Sequence, residues 1–208
     1  MFITFEGIDS SGKSTQCKLL EKYLTEKGHE VLLLREPGGT RISEKIRDIL
    51  LDHSSNGIVP LAEFLLYSAA RAQLVQEVIK PALAEGKIVI CDRFADSSTA
   101  YQGQARGLGI DKVESINTIA TGDLKPDLTF FIDIPVTESL IRLKVAGKLQ
   151  DRMESQSGEF FEAVREGYLH LATKLEQAGI SRLKIINGVD DISNIERRIR
   201  SIVEANLV

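Results

Sequence analysis

Gly7-Ile8-Asp9-Ser10-Ser11-Gly12-Lys13-Ser14 fits the spacing GxxxxGK[ST], and it stands between an apolar run, Phe2–Phe5, and a stretch of helical period that begins at Lys13. A strand that feeds a glycine-containing loop and then a helix aims backbone N–H groups and the positive end of the helix at an anion. Gly7, Ile8, Asp9, Ser10, Ser11, Gly12, Lys13, Ser14 and Thr15 are therefore expected to cradle the phosphates of a nucleoside triphosphate. Lys13 is placed to reach the β- and γ-phosphates, and the Ser14 hydroxyl to ligate Mg²⁺.

Outward from this loop, four more short apolar runs follow, at Val31–Leu34, Ile88–Cys91, Leu128–Ile132 and Leu183–Ile186. Each is rich in Ile, Leu, Val or Phe on both faces, as strands buried on two sides must be, and each is separated from the next by residues of helical period. That alternation predicts an α/β fold with a five-stranded parallel sheet flanked by helices. Gly28 and Gly86 end helical stretches just before strands, as C-cap glycines do. Lys13–Lys27 carries Cys17, Leu20 and Leu24 at helical spacing, and Leu61–Glu85 carries Leu61, Phe64, Ser68, Ala72, Val75 and Ile79. Pro81 is expected to kink or shorten the second helix. A last helix places Ile192, Ile195, Ile199 and Ile202 on one face, leaving Arg197, Arg198 and Arg200 solvated. Gly147–Gly158, polar and flanked by glycines, is the expected mobile excursion.

The chain has 208 residues, enough for one well-buried core, so residues 1–208 are read as a single domain. The net charge is −4 and no run of Lys or Arg marks out a patch that could neutralise many phosphates along a backbone, so no polynucleotide partner is expected. Cys17 and Cys91 lie outside any CxxC spacing and read as buried thiols in a reducing compartment. The sequence shows no basic leader and no run of about 18 apolar residues. A soluble, cytoplasmic protein with no membrane partner is expected.

A phosphate loop alone says that a triphosphate binds. A GTPase would need an Asn-Lys-x-Asp segment to read guanine, and the chain has none. A kinase for a phosphorylated acceptor needs cations for a second phosphate, since two anions must be brought into line. Arg35, Arg71 and Arg93 stand where they would emerge at or near the carboxyl edge of the sheet, the ligand edge of open α/β sheets.

The segments FEGIDSSGKST at 5–15, REPGGT at 35–40, DRF at 92–94 and AYQG at 100–103 resemble, in order and separation, the signature segments of thymidylate kinases. The resemblance runs from Met1 to about the C-terminal helix. It implies a monophosphate-kinase fold with a lid at about 147–158, usually in a homodimer, that transfers the γ-phosphoryl of ATP to dTMP with Mg²⁺. It further implies that Asp9 lies beside the acceptor's 3′-hydroxyl and a metal-bound water, and that Asp92 orients Mg²⁺ through water. Arg93 would bridge the dTMP phosphate and the transferring group, where a planar fork of donors suits phosphate oxygens. Tyr67 and Arg71, four apart and so on one helix side, would stack on thymine and bond its O4 edge; the family more often has Phe at the stacking position. Ser98, Tyr101 and Gln102 would complete that pocket, Tyr101 near the sugar's 2′ position. Arg35 and Glu36 would close over the acceptor phosphate and sugar. Asn187-Gly188-Val189 is a candidate contact for adenine.

Members of the family place a catalytic arginine either in the phosphate loop after the Asp or in the lid, and this chain has Ser10 at the loop position. Arg152, in Gln150-Asp151-Arg152, resembles the lid arginine of the bacterial type with a one-residue offset. Arg142 is the competitor for contact with the ATP phosphates, and Lys144 and Lys148 are further lid cations. Two other functions compete: a kinase for dUMP, dCMP or UMP, and a nucleotide-switched ATPase. The second leaves DRF and AYQG unexplained.

Overall fold

The computed structural model describes residues 1–147 and 150–207. Lys148 and Leu149, in the expected lid, lie outside the described residues. Five parallel strands, β1 Phe2–Glu6, β2 Val31–Arg35, β3 Ile88–Asp92, β4 Leu128–Asp133 and β5 Leu183–Asn187, form one sheet in the order β2-β3-β1-β4-β5. Each expected run is a strand, and each continues one residue further, to Glu6, Arg35, Asp92, Asp133 or Asn187. Hydrophobic patterning misses these last residues because they sit at the carboxyl edge, where a polar side chain faces ligand or loop and not core.

Helices α1 Lys13–Glu26, α2 Arg41–Leu51, α3 Pro60–Leu74, α4 Lys80–Ala84, α5 Ala95–Ser98, α6 Ile110–Thr121, α7 Val136–Ala146, α8 Gly158–Gln177 and α9 Ile192–Glu204 connect and cover the strands. On one face, Cys17, Leu20 and Leu24 of α1 and Ile195, Ile199 and Val203 of α9 pack on Ile3, Phe5, Ile90 and Phe130. On the other, Leu74, Val75, Ile79 and Phe94 pack on Phe2, Val89 and Cys91, while Phe161, Val164 and Tyr168 of α8 pack on Phe131. Each fully buried Ile, Leu or Phe contributes about 1.5–3 kcal/mol. Both thiols are buried, and Gly28 and Gly86 take φ of 90° and 82° after α1 and α4.

Three expectations need correcting. The edge strands β2 and β5 are not buried on both faces: β2 is half-buried and Ile185 is 44% exposed, because an edge strand has one neighbour and less cover. Leu61, expected on the buried face, is exposed beside Pro60 at the first turn of α3. Pro81 neither ends nor breaks the long helix. A π-helical turn, Val75–Ile79, intervenes, and the Lys80 N–H reaches back five residues to the Val75 carbonyl. The widened turn loosens the ladder just before the residue that has no N–H to give.

Candidate active site

The parallel register of β1 and β3 sets Phe5 opposite Asp92, so the phosphate loop and the segment Asp92-Arg93-Phe94 leave the sheet side by side. Gly7 has φ of 143°, and a Cβ there would lie 2.6 Å from the Ile132 carbonyl oxygen, so only glycine lets the loop pass the end of β4. Ser14 opens α1 and donates through Oγ to Asp92 Oδ2 at 2.5 Å.

Lys13 turns back into the loop. Its Nζ donates to the Ile8 carbonyl at 2.8 Å and stands 3.4 Å from Ser11 Oγ, and the residue is only 6% exposed. Burial, with Arg93 adding, pushes its pKa down to about 8.

Arg93 is held by the other wall of the loop. Nη1 donates to the Gly7 carbonyl at 2.8 Å and Nη2 to Asp9 Oδ1 at 2.6 Å, while the guanidinium lies 5.0 Å from the centre of the Tyr101 ring. The Tyr101 hydroxyl donates to the other Asp9 oxygen at 3.3 Å. Burial alone would raise the Asp9 carboxyl; Arg93 and Lys13 outweigh it and hold it below its usual range. Arg93 has φ of 71°, a left-handed conformation that costs an arginine about 1–3 kcal/mol. Behind it Glu6, fully buried, accepts the Phe94 N–H at 2.8 Å, Ser97 Oγ at 2.5 Å and Tyr168 OH at 2.9 Å.

The second half of the site is built on α3 and on the π-helical segment Thr99–Ala105 that contains AYQG. Arg71 is 2% exposed and heavily committed: Nε donates to Glu36 Oε2 at 2.8 Å, Nη1 to Asn117 Oδ1 at 2.8 Å, both terminal nitrogens to Ser98 Oγ at 3.1 Å, and Nη2 to the Phe94 carbonyl. Glu36 is buried, and burial pushes its pKa up to about 7 against the pull of Arg71; its Oε1 has no hydrogen-bond partner among the described residues. Arg35 and Arg47 both donate to the Pro37 carbonyl, at 2.7 and 3.0 Å, and frame the loop between β2 and α2.

A cavity of about 790 Å³ joins the two halves. It is lined by Lys13, Ser14 and Thr15 at one end and by Tyr67, Arg71, Ser98 and Gln102 at the other, with Asp9, Asp92, Arg93 and Tyr101 between them. Arg142 and Gly188 line the phosphate-loop end: Arg142 Nη2 donates to the Gly188 carbonyl at 3.0 Å, and Nη1 lies 3.5 Å from the Ser10 and Ser11 carbonyls. Ser14 and Asp92 are the hard oxygen donors beside the loop. Among the described residues no group of three or more His, Cys, Asp or Glu is arranged to hold a metal ion, and no helix is long and apolar enough to cross a membrane.

Arg152, the expected lid arginine, makes its bonds within the protein. It is 3% exposed, its Nε donates to the Leu50 carbonyl at 2.7 Å, and its Nη2 stands 2.7 Å from Glu63 Oε2, an ion pair by distance though poorly aligned for a hydrogen bond. Glu63 also gathers Gln102 at 3.0 Å and Arg106 at 3.2 Å, so Arg152 fastens the segment after Gln150 to α3. A buried carboxylate on α3 is the physical reason, and nothing in the local pattern around Arg152 signals it. Lys13 is likewise less reachable than a surface lysine. No motif or spacing in the sequence marks Arg47, Glu63 or Asn117 as site residues. Glu6 alone had a local cue, a charged residue ending an otherwise apolar strand.

A family profile described as thymidylate kinase matches residues 5–199. A thymidylate kinase of Caldanaerobacter subterraneus subsp. tengcongensis is 50% identical over 206 residues, covering 99% of this chain and 96% of that one. One of Thermosipho africanus is 51% identical over 207 residues, covering 100% and 99%. The crystal structure of thymidylate kinase from Ehrlichia chaffeensis superposes with a TM-score of 0.78 at 35% identity, covering 98% of each chain.

Proposed function

The chain belongs to the thymidylate kinase family, and from that membership we infer how its own residues carry the γ-phosphoryl group of ATP to dTMP, giving dTDP and ADP. The observation that carries the reading is one cavity with a phosphate loop at one end, Tyr67, Arg71, Ser98 and Gln102 at the other and Arg93 between them. In-line transfer needs two anions close together, and Arg93 is the cation placed to face both. Lys13 neutralises the β- and γ-phosphates. Tyr67 stacks on thymine, while Arg71, by exchanging one of its bonds to Ser98 for the base, reads its edge with Ser98 and Gln102, and Arg35, Glu36 and Tyr101 hold phosphate and sugar. With Arg152 tied to Glu63, Arg142 is the better-supported arginine for the ATP phosphates, and its bond to Gly188 supports an adenine contact nearby.

The oxygen donors of Ser14 and Asp92 fit Mg²⁺, Ser14 as direct ligand and Asp92 through water. Bound with ATP, the ion would neutralise charge on the β- and γ-phosphoryl oxygens. No general base is needed, since the acceptor is already a phosphate dianion near neutral pH. The enzyme works in the cytoplasm as a homodimer. Support for the dimer comes from the mutually packed α2 and α3, where Ile42 and Ile49, and Leu61 and Leu65, are left exposed.

The test is a panel of dTMP, dUMP, dCMP and UMP with ATP, following ADP release. We expect kcat/KM for dTMP to exceed that for dUMP by about tenfold or more, the value of one methyl in a fitted contact. Equal values would remove the thymine pocket, and ATP hydrolysis without a phosphorylated nucleotide would favour a nucleotide-switched ATPase.

A further inference from the structure

Arg93 holds a left-handed conformation that its side chain disfavours, and something must hold it there. The β1–β3 ladder supplies its last bond just before, from the Arg93 N–H to the Phe5 carbonyl at 2.9 Å. The next N–H, that of Phe94, goes to Glu6 Oε1 at 2.8 Å, so a side chain replaces the strand as acceptor at the point where the backbone turns. Glu6 Oε2 is fixed in turn by Ser97 and Tyr168, and Ser97 Oγ also lies 3.4 Å from Arg93 Nη1. Glu6 has no exposed surface and does not line the cavity, so contact with substrate does not account for a carboxyl buried there.

We propose that Glu6 is a positioning residue for phosphoryl transfer, which by accepting the Phe94 N–H keeps Arg93 in its left-handed turn and its guanidinium against Gly7 and Asp9. The proposal rests on the reading of Arg93 as the cation between the two phosphates. Glu6 acts through its hydrogen bonds to the Phe94 N–H, Ser97 and Tyr168; burial, with Asp96 adding, pushes its carboxyl up to about 7, and Asp96 is itself paired with Arg182 at 2.6 Å. A glutamine can make the same contacts. Its Oε1 accepts the Phe94 N–H and its Nε2 donates to the Ser97 and Tyr168 hydroxyls, which can turn to accept.

The experiment compares Glu6→Ala, Glu6→Gln, Arg93→Ala and the double variant Glu6→Ala/Arg93→Ala in steady-state kinetics, with circular dichroism and thermal unfolding as folding controls. Displacing a reacting group by about 1 Å can cost about 10²-fold, so Glu6→Ala is expected to lower kcat by about ten- to a hundredfold while KM for ATP changes little. Glu6→Gln should recover most of the loss, and Glu6→Ala should cost nothing further once Arg93 is gone. Additive losses in the double variant, a Gln variant as poor as Ala, or normal kcat in Glu6→Ala would each overturn the proposal. If Glu6→Ala does not fold, Glu6→Asp, which withdraws the carboxyl by one methylene, is read in its place with the same expectations. Normal kcat in Arg93→Ala would instead sink the reading of Arg93, and with it the route through which Glu6 is proposed to act.

Discussion

Lys13 carries the phosphate-loop charge from an almost enclosed position, and that has a thermodynamic consequence. Its pKa of about 8 lies below the 10.5 of the unfolded chain, so between those values the unfolded chain binds more protons. The burial of Lys13 therefore opposes folding below pH 8, and this opposition is relieved as pH rises towards 10.5. When a triphosphate meets the ammonium the charged form is favoured again, and near pH 8 binding should draw a proton onto Lys13. Calorimetry of a non-hydrolysable ATP analogue in two buffers of different ionisation enthalpy should show this uptake. No buffer dependence would mean that the lysine is already fully charged. Lys13→Ala should abolish transfer with an unchanged circular dichroism spectrum, since the role assigned to its ammonium is phosphate binding. A variant that turns over normally would remove the phosphate-loop assignment.

At the scale of elements, the segment after Gln150 is held by a buried ion pair. Breaking such a pair costs about 3–5 kcal/mol, and because Glu63 would keep Gln102 and Arg106, Arg152→Ala should fall at or below the lower end of that range, read as a drop in unfolding temperature. Arg142→Ala should do the reverse, leaving unfolding nearly unchanged and lowering kcat or raising KM for ATP. An unshifted Arg152→Ala unfolding temperature with a loss of kcat larger than that of Arg142→Ala would restore Arg152 as the arginine on the ATP phosphates. The contrast shows what sequence could and could not deliver. The strands, α1, the C-cap glycines and the phosphate loop depend on neighbours in the chain, and periodicity or spacing exposes them. The partner of Arg152 is Glu63, 89 positions away and on another helix, and the left-handed turn at Arg93 depends on Glu6 across the sheet. Such pairs leave no local pattern. The π-helical segments escape for a related reason: Thr99–Ala105 mixes good helix formers with Gly103, a composition that does not tell one helical form from another, and it packs on α8.

For the whole molecule, assembly can be tested as directly as chemistry. The exposed isoleucines and leucines of α2 and α3 should be covered in a homodimer, so sedimentation equilibrium should give about twice the chain mass, and Ile49→Asp with Leu65→Asp should reduce it to one. A single-chain mass for the unaltered protein would show that those residues face solvent. The cavity is lined from within one chain, by the phosphate loop and Arg93 at the ends of β1 and β3 and by α3 and the Thr99–Ala105 segment at its other end. Within that site the Arg93–Asp9 pair makes the protein its own competitor. On the role proposed for Arg93, its guanidinium already has a carboxylate 2.6 Å away, so an incoming anion gains less from it than from an unpaired cation. A bare inorganic phosphate has nothing else to offer and is a poor rival. A nucleotide brings a base and a sugar to offset that loss, so the pair should favour a nucleotide over small anions.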